Sequence, residues 1–490
     1  MIKDDKNKKL ENSNPSSSTL GVSTSAFSRK TFSKKLVNFI QKTKDHAIQA
    51  ASPGGYYNGL WCRDSSYILK DWLLSGRIRE VLDQILVIWS HQLDSVNNDD
   101  RIVFGRGSPE MDFKPTIANK EVKKRFHGSL PTSIYHERKI CEVFGRNPDI
   151  DSTALMVSTT SWILSRLFAK NVSADSSTKS SASGSLNRVK KVLDFTIPRM
   201  HKAIEYLSNR DIDNDGLLEQ SHNEDWMDSI MRAGKIVYSQ ACWILALSNF
   251  SLLLQLQQKK QESSIEAMVR LADTTIKAIE EKLWSEEDGA YIDVQETHHI
   301  GGPYRTLTQD ISLYLVALTE NTSRDSLSIN DYPSKENLLQ QPPMIKRLYG
   351  KVEDDDDDDD RSDYDRLVRT LGAIRTRAWK KKWPLVTEVE LISTGPWHLQ
   401  PYQYHNHTFW PWATGIEMLA RSRFEQFAEC DILLSSLASE GHPHIHCFYE
   451  WLNPINDTSG GVYPFRTGIS AVRIALTDIL AKIKTEKDLS

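Results

Sequence analysis

Apolar residues recur at intervals of three and four along most of the chain, which is the spacing of one face of an α-helix. No comparable series of alternating apolar and polar positions indicates β-strands. With Gly76 and similar breakers at the ends, the spacing predicts about a dozen helices. They cover residues 30–50, 65–75, 78–93, 151–167, 189–207, 239–256, 265–283, 308–319, 364–379, 410–421, 424–439 and 467–483.

The predicted helices follow one another in pairs, and the segments between pairs are rich in Gly, Trp and charged residues. An all-α toroid of paired helices fits this arrangement, with the connecting loops forming a binding site at one end. Periodicity predicts the helices, but it does not show that they close into a ring.

A tail and two polar insertions flank or interrupt one large predicted domain. Residues 1–29 are rich in Ser, Asn and Lys and are predicted to be disordered. Residues 30–490 form the domain, with a Ser-rich insertion at about 173–187 and a second insertion at about 320–362. Residues 354–360 are all Asp, which predicts a solvated loop because such a run cannot pack. Cation binding there is less favoured, since a straight run does not converge its ligands.

Composition limits the classes of function. The 490 residues carry a formal net charge of -4, which does not favour a nucleic-acid or anionic-membrane partner. Five cysteines without a CxxC pair favour a reducing compartment over a disulfide framework or a zinc site. The chain starts without an apolar leader, and no window approaches eighteen uninterrupted apolar residues. A cytoplasmic protein without a membrane span is therefore expected; the oligomeric state is not predicted.

An acidic stretch at residues 219–228 carries the strongest chemical signal. It holds four carboxylates and one indole, from Glu219 to Asp228. Carboxylates this close repel one another, which raises at least one pKa and allows a protonated acid near neutral pH. Trp226 is a candidate sugar-stacking platform. The alternative is a solvated acidic loop with one core Trp.

A second acidic and aromatic stretch lies far downstream. Glu450 stands between Tyr449 and Trp451, just ahead of an Asn-Pro turn. A carboxylate among aromatic rings is suited to activating water. An ordinary ion-pair partner is the other interpretation.

Three further segments are candidates for binding or metal coordination. Arg63 and Asp64 follow Trp61 and suit a sugar's vicinal hydroxyls, although Asp64 also fits a helix N-cap. Residues 395–398 and 404–412 are dense in His and Trp; a metal site is less favoured there than site lining or packing, because no third ligand is apparent. Residues 211–216 begin like an EF-hand loop, but the twelfth position is His222, so a rigid turn is predicted instead.

Together these segments resemble the (α/α)6-barrel glycoside hydrolases, especially the glucosidase domain of glycogen-debranching (amylo-α-1,6-glucosidase) enzymes and related glucoamylase-like families. The resemblance covers about residues 50–480 without the insertions. Six motifs occur in the family's order: W-x-R-D at 61–64, D-x-D-G-L-x-E at 213–219, W-M-D at 226–228, G-K-x-V at 234–237, Y-H-N-G-T-x-W-P-W at 404–412 with His407 in place of Gly, and a glutamate block from Glu450 to Gly461.

The resemblance implies an inverting exo-acting α-glucosidase on an (α/α)6 toroid, acting on an oligosaccharide or polysaccharide without cofactor or metal. Asp228 corresponds to the general acid and Glu450 to the general base. The implied substrate-binding residues are Trp61, Arg63, Asp64, Asp225, Trp226, Lys235, Trp397, His405 and Trp410. Asp225 is the alternative general acid, and Asp225 and Glu224 are expected to raise the pKa of Asp228. An epimerase, a phosphorylase or a non-catalytic glycan-binding protein on the same fold is the alternative function.

Overall fold

The structure, a computed structural model, describes residues 27–49, 59–94, 101–105, 119–173, 179–257, 262–295, 304–320, 358–393, 398–438 and 446–488. Within these ranges the chain forms thirteen helices. In chain order they are α1 (Arg29–Gln49), α2 (Cys62–Leu74), α3 (Ile78–Ser90), α4 (Lys120–Arg125), α5 (Ile150–Ser173), α6 (Lys179–Ser208), α7 (Val237–Leu256), α8 (Glu262–Lys282), α9 (Ser312–Thr319), α10 (Asp358–Ala373), α11 (Pro411–Arg423), α12 (Phe427–Ala438) and α13 (Arg466–Asp488).

Within the described residues, the twelve helices that the apolar spacing predicts are all present, with ends shifted by up to ten residues, and the short α4 is additional. Local chemistry explains several ends. Gly76 follows α2 with a φ of 81°, a left-handed conformation that glycine adopts without strain. Pro411 begins α11, where its fixed φ suits the first helical turn.

Six helices form an inner layer whose contacts close into a cycle. Helices α2, α5, α7, α9, α11 and α13 each contact the next in this series, and α13 contacts α2. Gly415 brings α11 close to α13, because a Cβ at this position would lie 2.8 Å from backbone atoms of Ala471 and Val472. Most of the remaining helices pack outside this layer: α3 on α2, α6 on α5, α8 on α7, α12 on α11 and α1 on α13.

Helix α7 lies in the centre of the core. It is long and apolar enough to cross a membrane, but 89% of its most apolar window is buried inside the protein. A helix that is apolar all round is typical of a protein interior. The five cysteines, Cys62, Cys141, Cys242, Cys430 and Cys447, are buried free thiols, so none is in a disulfide.

Short strands, which the sequence does not predict, connect the helices. They are β1 (Leu60–Trp61), β2 (Arg101–Phe104), β3 (Ser133–Tyr135), β4 (Ile140–Val143), β5 (Gly234–Lys235), β6 (Trp284–Ser285), β7 (Ala290–Tyr291), β8 (Asp293–Gln295), β9 (Tyr304–Thr306), β10 (Trp379–Lys380), β11 (Trp383–Pro384), β12 (Trp451–Asn453) and β13 (Thr458–Gly460). The largest sheet has the order β1-β3-β4-β2 and covers a small core of its own around Phe104 and Phe126. Strands of two to four residues are too short for alternation to reveal them.

The predicted insertions are partly helical. Helix α6 starts at Lys179, inside the Ser-rich segment, so the loop predicted over residues 173–187 is wrong from that point. The segment contains Ala and lacks Pro before residue 198, so it can extend the packed part of the helix. Helix α10 likewise begins at Asp358, within the Asp run. The rest of the second insertion, at 321–357, lies outside the described residues, as does the tail up to residue 26.

The N-terminal ends of the inner helices meet at one end of the cycle. Thr467 in the first turn of α13 donates a hydrogen bond of 2.5 Å to Asp64 in the first turn of α2. Arg63 in the same turn lies 3.5 Å from Asp151 at the start of α5, and the hydroxyl of Tyr238 at the start of α7 donates to Asp151 at 3.2 Å. Because helix N-termini favour negative charge, this end suits a cluster of carboxylates.

Candidate active site

Asp228 lies in the loop that runs from the end of α6 to β5, beside the first turns of α2 and α5. Its side chain is 13% exposed. Burial raises the pKa of Asp228 to about 7; the Arg63 guanidinium opposes this rise, while Asp225, Glu450 and Asp151 add to it. A carboxylic acid with this pKa is protonated in part of the molecules at neutral pH and can act as a general acid.

Glu450 is held ahead of the β12–β13 hairpin. The backbone N–H of Val462 donates a hydrogen bond of 2.8 Å to Oε2, and the Tyr404 hydroxyl donates one of 3.3 Å to Oε1. The peptide groups of Glu450 and Val462 are also bonded, with the Glu450 N–H donating to the Val462 carbonyl at 3.1 Å. The two donors to the side chain stabilise an ionised carboxylate at this position.

The segment at residues 404–412 connects the two acidic stretches. Phe409 exchanges two backbone hydrogen bonds with Leu452, two residues after Glu450. On the other side, the indole of Trp226 packs edge-on against Trp412, with ring centroids 4.5 Å apart. Two motifs more than 200 residues apart in sequence thus lie around one aromatic cluster. The negative charge of Glu450 is close enough to raise the pKa of Asp228.

Arg63 bridges the first turns of α2 and α5. Its guanidinium lies 3.6 Å from Asp64, 4.0 Å from Asp149 and 3.5 Å from Asp151. Asp64 is not the N-cap of α2, because the helix begins at Cys62 and Trp61 takes that position. Asp149 and Asp151 are both buried. The sequence predicts Asp151 only as the first residue of a helix, although an acid at the start of an apolar helix was a signal for this site.

A second buried arginine, Arg232, lies in the same loop as Asp228, and the sequence does not predict its role. Arg232 is fully buried and forms ion pairs with Asp225 at 3.0 Å, Asp293 at 2.8 Å and Asp310 at 2.7 Å. Asp310 also accepts a hydrogen bond of 2.6 Å from the Trp226 indole N–H. This cluster, hereafter the Arg232 cluster (Arg232, Asp225, Asp293 and Asp310), fixes the loop that carries Asp228.

His405 is buried next to Asp228. Its Nδ1 lies 2.8 Å from the Ser229 hydroxyl and 3.7 Å from Oδ1 of Asp228, and its ring stacks on Trp410 with centroids 4.7 Å apart. Burial, reinforced by Arg63 and Arg232, lowers the pKa of His405 well below its usual range. The imidazole is therefore neutral at the pH where Asp228 titrates.

Two predicted sugar-binding tryptophans are packed inside the protein. Trp226 and Trp410 are each 2% exposed. The Trp226 ring meets His405, Trp410 and Trp412, and the Trp410 indole N–H donates to the Tyr404 carbonyl at 2.9 Å. Little of either ring is accessible, so both rings pack beneath the site, and their substrate-binding roles stay predictions.

The two acids predicted to raise the pKa of Asp228 have different surroundings. Glu224 accepts hydrogen bonds from Arg210 at 2.5 Å and from the Ser221 N–H at 2.9 Å. The Arg210 guanidinium neutralises its charge, and Glu224 is not among the groups that raise the pKa of Asp228. Asp225 does raise the pKa of Asp228, as predicted. It is itself 1% exposed and paired with Arg232, and its substrate-binding role stays a prediction.

Lys235 belongs to the turn at residues 211–216. Its ammonium lies 2.7 Å from Asp213, contacts Asp215 and lies 3.6 Å from Glu219. The N–H groups of Asp215 and Gly216 donate to Asp211, which makes the rigid turn that the sequence predicts. Oxygens of the four acids, Asp211, Asp213, Asp215 and Glu219, lie within 4.8 Å of one another and could hold a metal ion. In this structure lysine ammonium groups supply the positive charge there, and the substrate role of Lys235 stays a prediction.

The remaining predicted site residues are placed in separate environments. The half-buried Trp61 packs edge-on against Phe144, with ring centroids 5.3 Å apart. His407 has a φ of 60°, a left-handed conformation that explains why glycine is usual at this motif position. Nδ1 of His407 forms a hydrogen bond of 2.7 Å with the Thr387 carbonyl. Trp397 lies outside the described residues.

Solved structures with a similar fold include glycosidases. The chain is similar to a GH63 mannosylglycerate hydrolase from Thermus thermophilus in complex with Tris and D-glycerate, with a TM-score of 0.50 and 14% identity over 91% of this chain and 99% of that one. It is also similar to a structure described as a wild-type glycosidase, with a TM-score of 0.50 and 10% identity over 94% and 99% of the two chains. No protein-family model and no curated protein matches the sequence. At these identities the likeness establishes a shared helical fold.

Proposed function

We propose that the chain is an inverting, exo-acting glycoside hydrolase whose general acid is Asp228 and whose general base is Glu450. The closed cycle of six inner helices, with helices packed outside it, supports an (α/α)6 toroid. The observation that carries the proposal is the pairing of two carboxyl groups with different environments. Burial raises the pKa of Asp228 to about 7, whereas Glu450 accepts hydrogen bonds from two donors. When the surroundings of two carboxyl groups move their pKa values apart, one group can serve as the acid and the other as the base.

In the proposed reaction, Asp228 gives its proton to the glycosidic oxygen as the bond to the anomeric carbon breaks. Glu450 takes a proton from the water that attacks the same carbon from the opposite face. The products are a free sugar of inverted configuration and the alcohol, and the two carboxyl groups exchange protons with solvent before the next turnover. Room for this water requires carboxyl groups about 6.5–9.5 Å apart.

Asp225 is the other candidate acid, and its contacts argue against it. It lies 3.0 Å from Arg232 and accepts a hydrogen bond of 2.9 Å from the Met227 N–H. Burial raises the pKa of Asp225 as well, but the Arg232 charge opposes that rise. A carboxylate in an ion pair with a buried arginine is stabilised in its charged form and is a poor proton donor. The geometry therefore favours Asp228 as the acid.

An α-glucoside is the substrate we favour, because six sequence motifs resemble those of debranching-type glucosidases. Mannosylglycerate belongs in any test as well, since one solved neighbour is a mannosylglycerate hydrolase. The five free cysteines support a reducing, cytoplasmic environment.

The test is sugar release from maltose, isomaltose, panose, trehalose, glycogen limit dextrin and mannosylglycerate. Wild type is compared with Asp228→Asn and Glu450→Gln, and proton NMR follows the anomer released first. We expect one substrate to be cleaved with inversion by wild type, with kcat lower by about 10²–10⁴-fold in each variant. If Asp225→Asn loses more activity than Asp228→Asn, the acid is Asp225.

Two outcomes would replace the proposal. Turnover that requires inorganic phosphate would indicate a phosphorylase. Binding of oligosaccharide without turnover, unchanged in Asp228→Asn, would indicate a glycan-binding protein. Retention of configuration in the first product would keep the hydrolase but exclude direct attack of water.

A further inference from the structure

Asp149 and Asp151 lie on either side of Arg63, but their carboxylates are bonded differently. Both oxygens of Asp149 accept hydroxyl hydrogen bonds, from Thr132 at 2.8 Å and from Ser152 at 3.1 Å. In Asp151, Oδ2 accepts a hydrogen bond from the Tyr238 hydroxyl at 3.2 Å. Within the described residues, Oδ1 of Asp151 has no hydrogen-bond partner.

Arg63 shows the complementary feature. Its Nη1 is within ion-pair distance of Asp151 but has no hydrogen-bond partner among the described residues. A buried donor or a buried acceptor without a partner destabilises a folded protein, because the group has lost its hydrogen bonds to water. Nη1 of Arg63 lies 3.5 Å from the other oxygen of the same carboxylate, Oδ2 of Asp151. An unpartnered donor and an unpartnered acceptor on this ion pair, at the start of α2 and α5, point to a group that both donates and accepts, which is the chemistry of a sugar hydroxyl.

The position agrees with this chemistry. The charges of both Asp151 and Arg63 act on the pKa of Asp228, so the pair borders the proposed general acid. Asp151 itself is fully buried, while the Arg63 side chain remains 13% exposed. A ligand hydroxyl reaches the pair from the exposed side of Arg63, at the end of the inner cycle where the helix N-termini meet.

We propose that Asp151 is a substrate-binding residue, whose Oδ1 accepts a hydrogen bond from one sugar hydroxyl while Nη1 of Arg63 donates to the same oxygen. This assignment rests on the proposed glycosidase function for its choice of ligand. It makes Asp151 a specificity-determining residue, because a site built to bond a hydroxyl rejects an analogue that lacks it.

The experiment measures binding without turnover. NMR titrations give Kd values for glucose, mannose and their monodeoxy derivatives with wild type, Asp151→Asn and Asp149→Asn. Asp149→Asn is the matched control, since it changes the same charge beside Arg63 at a carboxylate that is already satisfied. We expect wild type to bind one deoxy sugar about 10- to 100-fold more weakly than its parent. Asp151→Asn should bind these two sugars alike, whereas Asp149→Asn should still discriminate between them.

Three results would overturn the assignment: Asp151→Asn discriminating among deoxy sugars as wild type does, both variants losing the same discrimination, or wild type binding neither parent sugar. If Asp151→Asn does not fold, Tyr238→Phe replaces it, because this change releases Oδ2 of Asp151 without altering the carboxylate. Selectivity at the same hydroxyl must then change, or the proposal is wrong. A chain that binds sugar with this selectivity but hydrolyses nothing would refute the hydrolase proposal and leave the Asp151 assignment intact.

Discussion

Gly461 and Glu450 are in contact so close that no side chain fits between them. A Cβ at residue 461 would lie 2.1 Å from Oε2 of Glu450, and Gly461 has a φ of 74°. The carboxylate of Glu450, the proposed general base, can occupy its position only because residue 461 has no side chain.

Gly461→Ala is expected to lower kcat by about 10²-fold or more, because a displaced base no longer aligns the water. Activity on the cleaved substrate and circular dichroism of the fold are the measurements. Gly372→Ala is the control, since no atom lies within 4 Å of its Cβ position in α10. That change should leave activity intact and stabilise the helix by about 1 kcal/mol. Equal activity in the two variants would show that Glu450 is not the base.

The pKa of Asp228 predicts the alkaline side of the pH profile. A general acid must be protonated, so kcat/KM should fall as the pH rises through about 7. Asp225→Asn removes a charge that raises this pKa, so the fall should move to lower pH. Exposed Glu266 provides the control, and Glu266→Gln should leave the profile unchanged. A profile that stays in place in Asp225→Asn would contradict the assignment of the acid.

The same shift affects stability. Because the folded-state pKa is raised, Asp228 is protonated in both states below about pH 4. The cost of its ionisation in the folded protein appears above that pH and is complete above about 7. Asp228→Asn should therefore raise Tm at pH 8 by a few degrees and change it little at pH 4. An increase of the same size at both pH values would mean that ionisation is not the cause.

The Arg232 cluster predicts a large effect on folding. Arg232→Met would leave three buried carboxylates without their cation, which is expected to cost about 3–5 kcal/mol. Urea denaturation followed by fluorescence measures the loss. Arg270→Met on the exposed face of α8 is the control and should change stability by less than about 0.5 kcal/mol. A similar small effect for Arg232→Met would show that the three acids are largely protonated.

The sequence predicts those parts of the structure that leave a local pattern. Helix positions follow from apolar spacing, and Asp228 and Glu450 stand out because acids and aromatic residues are adjacent around them. The short strands are not predicted, because two to four residues are too few to show an alternating pattern. Trp226 shows a different limit: it lies in an acidic stretch of the sequence, yet its neighbours in space are the aromatic rings of Trp410, Trp412 and His405.

Residues that act through distant partners give no local signal. Arg232 is one basic residue in a short loop, and its partners Asp293 and Asp310 lie 61 and 78 positions further on. Asp151 and Arg63 are likewise brought together only when α2 packs against α5. Their pairing depends on tertiary contacts, which a single sequence does not contain.

The contact between α2 and α13 links opposite ends of the chain. Asp71 pairs with Arg473 at 2.9 Å and Asp64 with Thr467 at 2.5 Å, both across about 400 positions. A chain emerging from the ribosome would carry Arg63 and Asp228 long before α13 is made. The site can be assembled only after α13 has been synthesised. Premature termination or C-terminal proteolysis within α13 would therefore abolish function, even though both proposed catalytic carboxylates precede the break.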